Sequence, residues 1–140
     1  MSSPSRLQAF LSEPRNIVVA GIRKDGRPHL SPNWFFWDGG KFYVSTTRKR
    51  VKYTIFGRDP RVELLIDDAT GYRYVRVSGT VEIREYVPAE LVRFRAIREK
   101  HGLAVPPDDQ FAAELIADDR VLLAITPSGP PSTWRAAGLD

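Results

Sequence analysis

From Ser45 to Lys52 the chain reads Ser-Thr-Thr-Arg-Lys-Arg-Val-Lys, three hydroxyls followed by a dense group of cations. Residues of these types at this spacing can bind an anion. Arg50 offers a planar fork of donors, Lys52 a point charge, and Ser45, Thr46 and Thr47 hydroxyl donors. With free backbone N–H groups at a helix start, they make a phosphate cradle. The hydroxyls suit the N-cap of a short helix ending near Gly57. Arg48, Lys49, Arg50 and Lys52 then fall in its first turn and a half, where the helix dipole favours acidic side chains by about 0.3–1 kcal/mol each. Cations there cost stability unless an anion sits among them. The other reading is a solvated basic turn, and charge alone does not separate the two.

A second stretch, His29-Leu30-Ser31-Pro32-Asn33-Trp34-Phe35-Phe36-Trp37, reads as a strand. Alternation puts His29, Ser31, Asn33, Phe35 and Trp37 on one face and Leu30, Trp34 and Phe36 on the other. Pro32 cannot donate to a ladder, so the strand lies at an edge or is locally distorted. Ser31, Asn33 and unpaired backbone groups there suit hydrogen bonding to a planar heterocycle; a polar outer face over aromatic core partners is the alternative. Tyr72 and Tyr74 follow Gly71 on one side of a strand mouth and either stack on a ring or cover a barrel end. His29 has no acid–base partner fixed near it by spacing, no Ser/His/Asp triad can be argued, and turn chemistry explains Asp67 and Asp68. No catalytic side chain is assigned.

The elements that must position these residues are mostly strands. Leu7, Phe10 and Leu11 give a short helix before Pro14, and Ile17–Ile22 a buried strand. Asp25-Gly26 turns it into the return strand His29–Trp37, and Asp38-Gly39-Gly40 into Lys41–Ser45, a three-stranded meander. Beyond the basic segment come strands Arg61–Asp67 and Tyr72–Tyr86, the latter with Gly79 marking a bulge or bend. Pro88–His101 is a helix with Gly102 beyond it, and Asp108 or Asp109 caps another carrying Phe111, Leu115 and Ile116. A last strand, Arg120–Thr126, precedes a tail, Trp134–Asp140, without regular pattern. Six strands with helices confined to connections predict a mainly β protein, a small antiparallel barrel or sandwich, and the even hairpin spacing favours the six-stranded barrel.

At 140 residues the whole chain, 1–140, is expected to form a single domain. It lacks cysteine, and its two histidines lie in different elements without clustered carboxylates, so a metal site is not expected. A net charge of +4 favours an anionic partner. Nucleic acid is not expected, because the aromatics do not interleave with the basic run. No stretch approaches the roughly 20 apolar residues of a membrane span, and the first residues lack a signal-peptide core, so a cytoplasmic location is expected.

Several strings, in order, resemble a known family: Asp25-Gly26-Arg27-Pro28-His29-Leu30-Ser31-Pro32-Asn33, then Phe42-Tyr43-Val44-Ser45-Thr46, Arg50-Val51-Lys52, Arg58-Asp59-Pro60-Arg61-Val62, Asp67 and Gly79-Thr80-Val81. Over roughly residues 7 to 126 the chain resembles flavin/deazaflavin oxidoreductases related to pyridoxamine 5'-phosphate oxidase, nearest the actinobacterial type that uses coenzyme F420, a 5-deazaflavin. The resemblance implies a split β-barrel, a homodimer with cofactor at the subunit interface, and transfer of a hydride to an unsaturated small-molecule acceptor. It assigns the phosphate to Arg50 and Lys52 with Ser45, Thr46 and Thr47, the ring to His29, Ser31, Pro32 and Asn33, and an aromatic contact to Tyr72. The short tail, ending Trp134-Arg135-Ala136-Ala137-Gly138-Leu139-Asp140, lacks the C-terminal arginine motif of the pyridoxamine phosphate oxidases. An FMN-binding oxidoreductase of the same fold and a non-catalytic deazaflavin carrier are the alternatives.

Overall fold

A computed structural model describes residues 4–139; the expectations for residues 1–3 and 140 lie outside the described residues. Helical spacing of Leu7, Phe10 and Leu11 buries one face of α1 (Pro4–Ser12). Strands β1 (Asn16–Ile22) and β2 (Pro28–Trp34) form the hairpin that Asp25-Gly26 predicts, with Gly26 at a φ of 88° and the Arg27 N–H donating to Asp25 Oδ1 at 3.0 Å. Strands β3 (Phe36–Asp38) and β4 (Lys41–Thr47) pair across Gly39-Gly40. The chain continues through α2 (Val51–Arg58), β5 (Arg61–Asp67) and β6 (Tyr74–Glu85). A 3-10 turn, Pro88–Glu90, enters α3 (Leu91–Lys100), followed by α4 (Asp108–Ala117), β7 (Arg120–Pro127) and β8 (Arg135–Ala137).

All the pairings are antiparallel, in the order β2, β1, β5, β6, β7, β4, β3, with β8 also on β6. The sheet curls into a split barrel, as expected, but has eight strands instead of six. Two local features account for the difference.

First, the return strand divides at Phe35, and the meander does not form. β2 pairs with β1 at one edge of the sheet, β3 pairs with β4 at the other, and Phe35 carries the chain between them. Its ring is fully buried against Phe42, at a centroid distance of 5.8 Å. Core packing of this one ring outweighs continued strand geometry. The half-buried Lys100 ammonium anchors the crossing by donating to the carbonyls of Phe35 at 3.2 Å and Leu11 at 2.7 Å; burial first, then Arg15, pulls its pKa down to about 8. Pro32 sits on an edge strand, where its missing N–H is tolerated.

Second, the tail is ordered. A 3-10 turn, Pro131–Thr133, precedes β8; the Trp134 indole N–H donates to the Gly129 carbonyl at 3.0 Å, and its ring meets Trp37 edge-on at 5.3 Å. Leu139 is buried. Periodicity could not reveal so short a strand.

The core lies on both sides of β4 and β7. Phe42 and Val44 face the barrel interior with Val19, Val75 and Leu123, while Tyr43 and Leu122 face outward beneath Phe94 of α3 and Phe111 of α4. Gly79 marks no bulge: β6 keeps unbroken register with β5 and β7 there, and a Cβ at Gly79 would lie 2.5 Å from the Thr126 carbonyl oxygen. Close backbone approach is what requires glycine.

Candidate functional site

Ser45, Thr46 and Thr47 belong to β4, pairing with Leu122, Val121 and Arg120 of β7. They do not cap α2. Arg50 takes the N-cap position with extended backbone, φ −84° and ψ 151°, and no side chain makes a capping bond. β-branched threonines favour the ladder over the cap, and the chain turns only when the Arg50 N–H reaches the Thr47 carbonyl at 3.1 Å. Alternation therefore splits the hydroxyls. Ser45 and Thr47 share the outer face with Tyr43; Thr46 faces inward with Phe42 and Val44, and its Oγ1 is buried without a hydrogen-bond partner.

The cations separate as well. Arg48 and Lys49 precede the helix, and Arg48 is neutralised by Glu85 and Asp119. Lys52, in the first turn of α2, is only 8% exposed, and no acceptor or carboxylate meets its ammonium among the described residues. Burial, then Arg50, then Arg120 push its pKa below the ordinary lysine range. An ammonium in such a setting gives up part of its hydration without gaining a counter-charge, which disfavours its charged form. Arg50 itself is exposed.

Arg120 is the residue that sequence reasoning missed. It opens β7 opposite Thr47, donates from Nε to Asp118 at 2.7 Å, and approaches Ser45 Oγ at 3.5 Å. Only the pairing of β4 with β7 brings it to Lys52, and a lone cation at the start of a strand gives no local signal.

On the edge strand, half-buried His29 has its pKa lowered by burial, then by Arg23 and Lys52. Asn33 Nδ2 donates to the Ser31 carbonyl at 2.9 Å and reaches Ser31 Oγ at 3.2 Å, which fixes the amide. β2 and β4 approach without forming a ladder, and a cleft of about 480 Å³ opens beside them, lined by Pro32, Asn33, Trp34, Ser45 and Arg120 and roofed by α3. The structure thus gathers Pro32, Asn33 and Ser45 on one cleft, Ser31 behind Asn33, and Arg50, Lys52 and His29 in one electrostatic neighbourhood. Tyr72 stays apart, 83% exposed on the turn after β5 and absent from the cleft wall. A larger depression of about 790 Å³ lies on the outer side of β1 and β5, among Val18, Ala20, Leu30 and Leu65, on the same face of the β1–β2 hairpin as Pro32 and Trp34.

Chemically, the Lys52 corner concentrates positive charge beside a cleft with an amide, a hydroxyl and aromatic walls. The sequence pattern of the pyridoxamine 5'-phosphate oxidase family matches residues 3–129. A solved structure described as an F420 reductase is 29% identical, covering 87% of this chain and 93% of its own, with a TM-score of 0.69. A conserved hypothetical protein of Mycobacterium tuberculosis is 25% identical over 98% of this chain and 85% of its own, with a TM-score of 0.82. The heme storage protein HutZ of Vibrio cholerae, at 15% identity and a TM-score of 0.76 over 99% and 97%, shares the fold alone. With the family pattern spanning nearly the whole chain and the curled antiparallel sheet to match, the chain belongs to the pyridoxamine 5'-phosphate oxidase-like split-barrel family.

Proposed function

We propose that this protein is a coenzyme F420-dependent oxidoreductase that works as a homodimer in the cytoplasm, with the chain forming a single cofactor-binding domain. The observation that carries this is Lys52, a mostly buried residue beside Arg50 and Arg120 with no acid to meet its ammonium among the described residues. Lys52 and Arg50 would hold the cofactor phosphate, with Ser45 and Thr47 donating hydroxyls and Arg120 extending the cradle. His29, Ser31, Pro32 and Asn33 would face the ring from the edge strand. When bound, reduced deazaflavin would supply a hydride to an unsaturated organic acceptor and solvent the balancing proton, so that no dedicated protein acid is needed. The protein's part is position: β2, the end of β4 and the roof of α3 would hold cofactor and acceptor against each other. Roles for Thr46, whose hydroxyl faces inward, and Tyr72, which stands apart, would require contacts from a second subunit or through backbone.

The likeness to an F420 reductase supports the deazaflavin over FMN. So does the cofactor's acidic tail, which suits the exposed Lys49 beside the site; Arg48, already paired, adds little. The apolar outer face with Leu30, 63% exposed, supports a second copy as partner. The test is fluorescence titration of the purified protein with F420 and with FMN, repeated on Lys52→Ala. Tight F420 binding that collapses in the variant is expected; unchanged affinity in Lys52→Ala refutes the assignment, and preference for FMN moves the protein to the flavin branch. Binding of F420 with no reduction of any quinone, tetrapyrrole or enone would make it a carrier.

A further inference from the structure

The cleft beside the cation corner has a second pole. Its wall combines Trp34, Phe94, Ile97 and Leu103 with two guanidiniums, Arg98 and Arg120, and no carboxylate among the described residues lines it. Arg98 is half-buried and lies over the Phe111 ring, Cζ to centroid 4.8 Å, with no ion pair or side-chain hydrogen bond among the described residues. Its fork of donors is therefore free. Trp34 is held flat: the His101 imidazole stacks on it at 4.3 Å with an interplanar angle of 8°, while the indole remains 39% exposed. A fixed aromatic plane, an apolar rim and an unpaired guanidinium stand around about 480 Å³, a volume in the range of small-molecule sites.

Each part selects. The indole plane favours a flat conjugated ring, since stacked aromatic contacts add to simple area burial. A guanidinium over an aromatic face, partly stripped of water, pairs best with a planar bidentate anion. We propose that this cleft binds a flat, conjugated carboxylate, Trp34 stacking on its ring and Arg98 taking its carboxylate. As a binding site it stands without the cofactor; calling its occupant the hydride acceptor rests on the function proposed above. Arg98 is then a specificity-determining residue, separate from the phosphate corner at Lys52.

The test uses cofactor-free protein, with 2-naphthoate and its neutral counterpart 2-naphthamide as probes in calorimetric titration. Wild type should bind the acid roughly tenfold more tightly than the amide, the factor expected of one charge-assisted pair. Arg98→Gln should bring that ratio close to one, and Arg98→Lys, which keeps a charge over Phe111 but loses the fork, should leave an intermediate ratio. Trp34→Ala should weaken both probes alike, and Lys52→Ala should change neither. The proposal is overturned if wild type binds neither probe or does not prefer the acid, if Arg98→Gln and Arg98→Lys keep the wild-type ratio, or if Lys52→Ala removes the preference. Should F420 fail to bind while the naphthoate preference tracks Arg98, the function proposed above falls and the cleft remains. If F420 binds and naphthoate does not, the reverse holds.

Discussion

Lys52 works against the stability of its own fold. A mostly buried lysine flanked by guanidiniums gives up hydration and meets repulsion, and a bound phosphate would offset both effects. Lys52→Met should therefore split two properties that usually fall together. F420 affinity should drop roughly 30- to 100-fold, as expected when a charge-assisted anchor is lost, while the melting temperature of the cofactor-free protein should hold or rise. Calorimetry on both proteins, with and without cofactor, checks this. The pKa direction gives a second expectation. A bound anion favours protonated Lys52, so binding takes up a proton once pH exceeds the lowered pKa of the free protein. Affinity should then fall as pH rises through that region, and Lys52→Arg should flatten the dependence; titrations from pH 7 to 10 decide. The place of Arg50 and Lys52 at a helix start was legible in the sequence, and cations there conflict with the dipole whatever the fold. The fate of Arg48 was not: its partners, Glu85 and Asp119, arrive from β6 and the turn before β7. Nor was Arg120, which only strand pairing delivers.

Among the elements, hairpins announced themselves through their turn residues, and Pro32 correctly marked an edge. The division at Phe35 could not be read, because an aromatic run looks alike whether it continues a strand or dives into the core. Gly79 was legible as special but for the wrong reason, since close approach of a neighbouring strand leaves no mark in local sequence. The glycines make a paired prediction. Gly79→Ala would place a methyl 2.5 Å from a backbone oxygen and should cost about 1–3 kcal/mol. Gly57→Ala, inside α2 with nothing within 4 Å of the new Cβ, should stabilise by about 0.4–1 kcal/mol. Urea denaturation of the two variants should shift the midpoint in opposite directions.

For the molecule as a whole, composition and periodicity conveyed a curled antiparallel sheet, while the strand order depends on long-range pairing that leaves no local pattern. The outer face around Leu30 and Leu65 should be covered by a second copy. Leu30→Glu places a charge there and should shift sedimentation toward the monomer, with weaker F420 binding if the partner completes the site. One more consequence follows from the chain's passage at Phe35. β2 and β3 are neighbours in sequence yet occupy the two far margins of the sheet. Hydrogen bonds leave those margins unsewn, and the cleft is the gap between β2 and the β4 margin. A ligand seated there would act as a suture, stiffening strands that share no ladder. Deuterium uptake should slow together in segments 28–34 and 41–47 on cofactor addition, and protection confined to one of them would mean the occupant leans on a single lip.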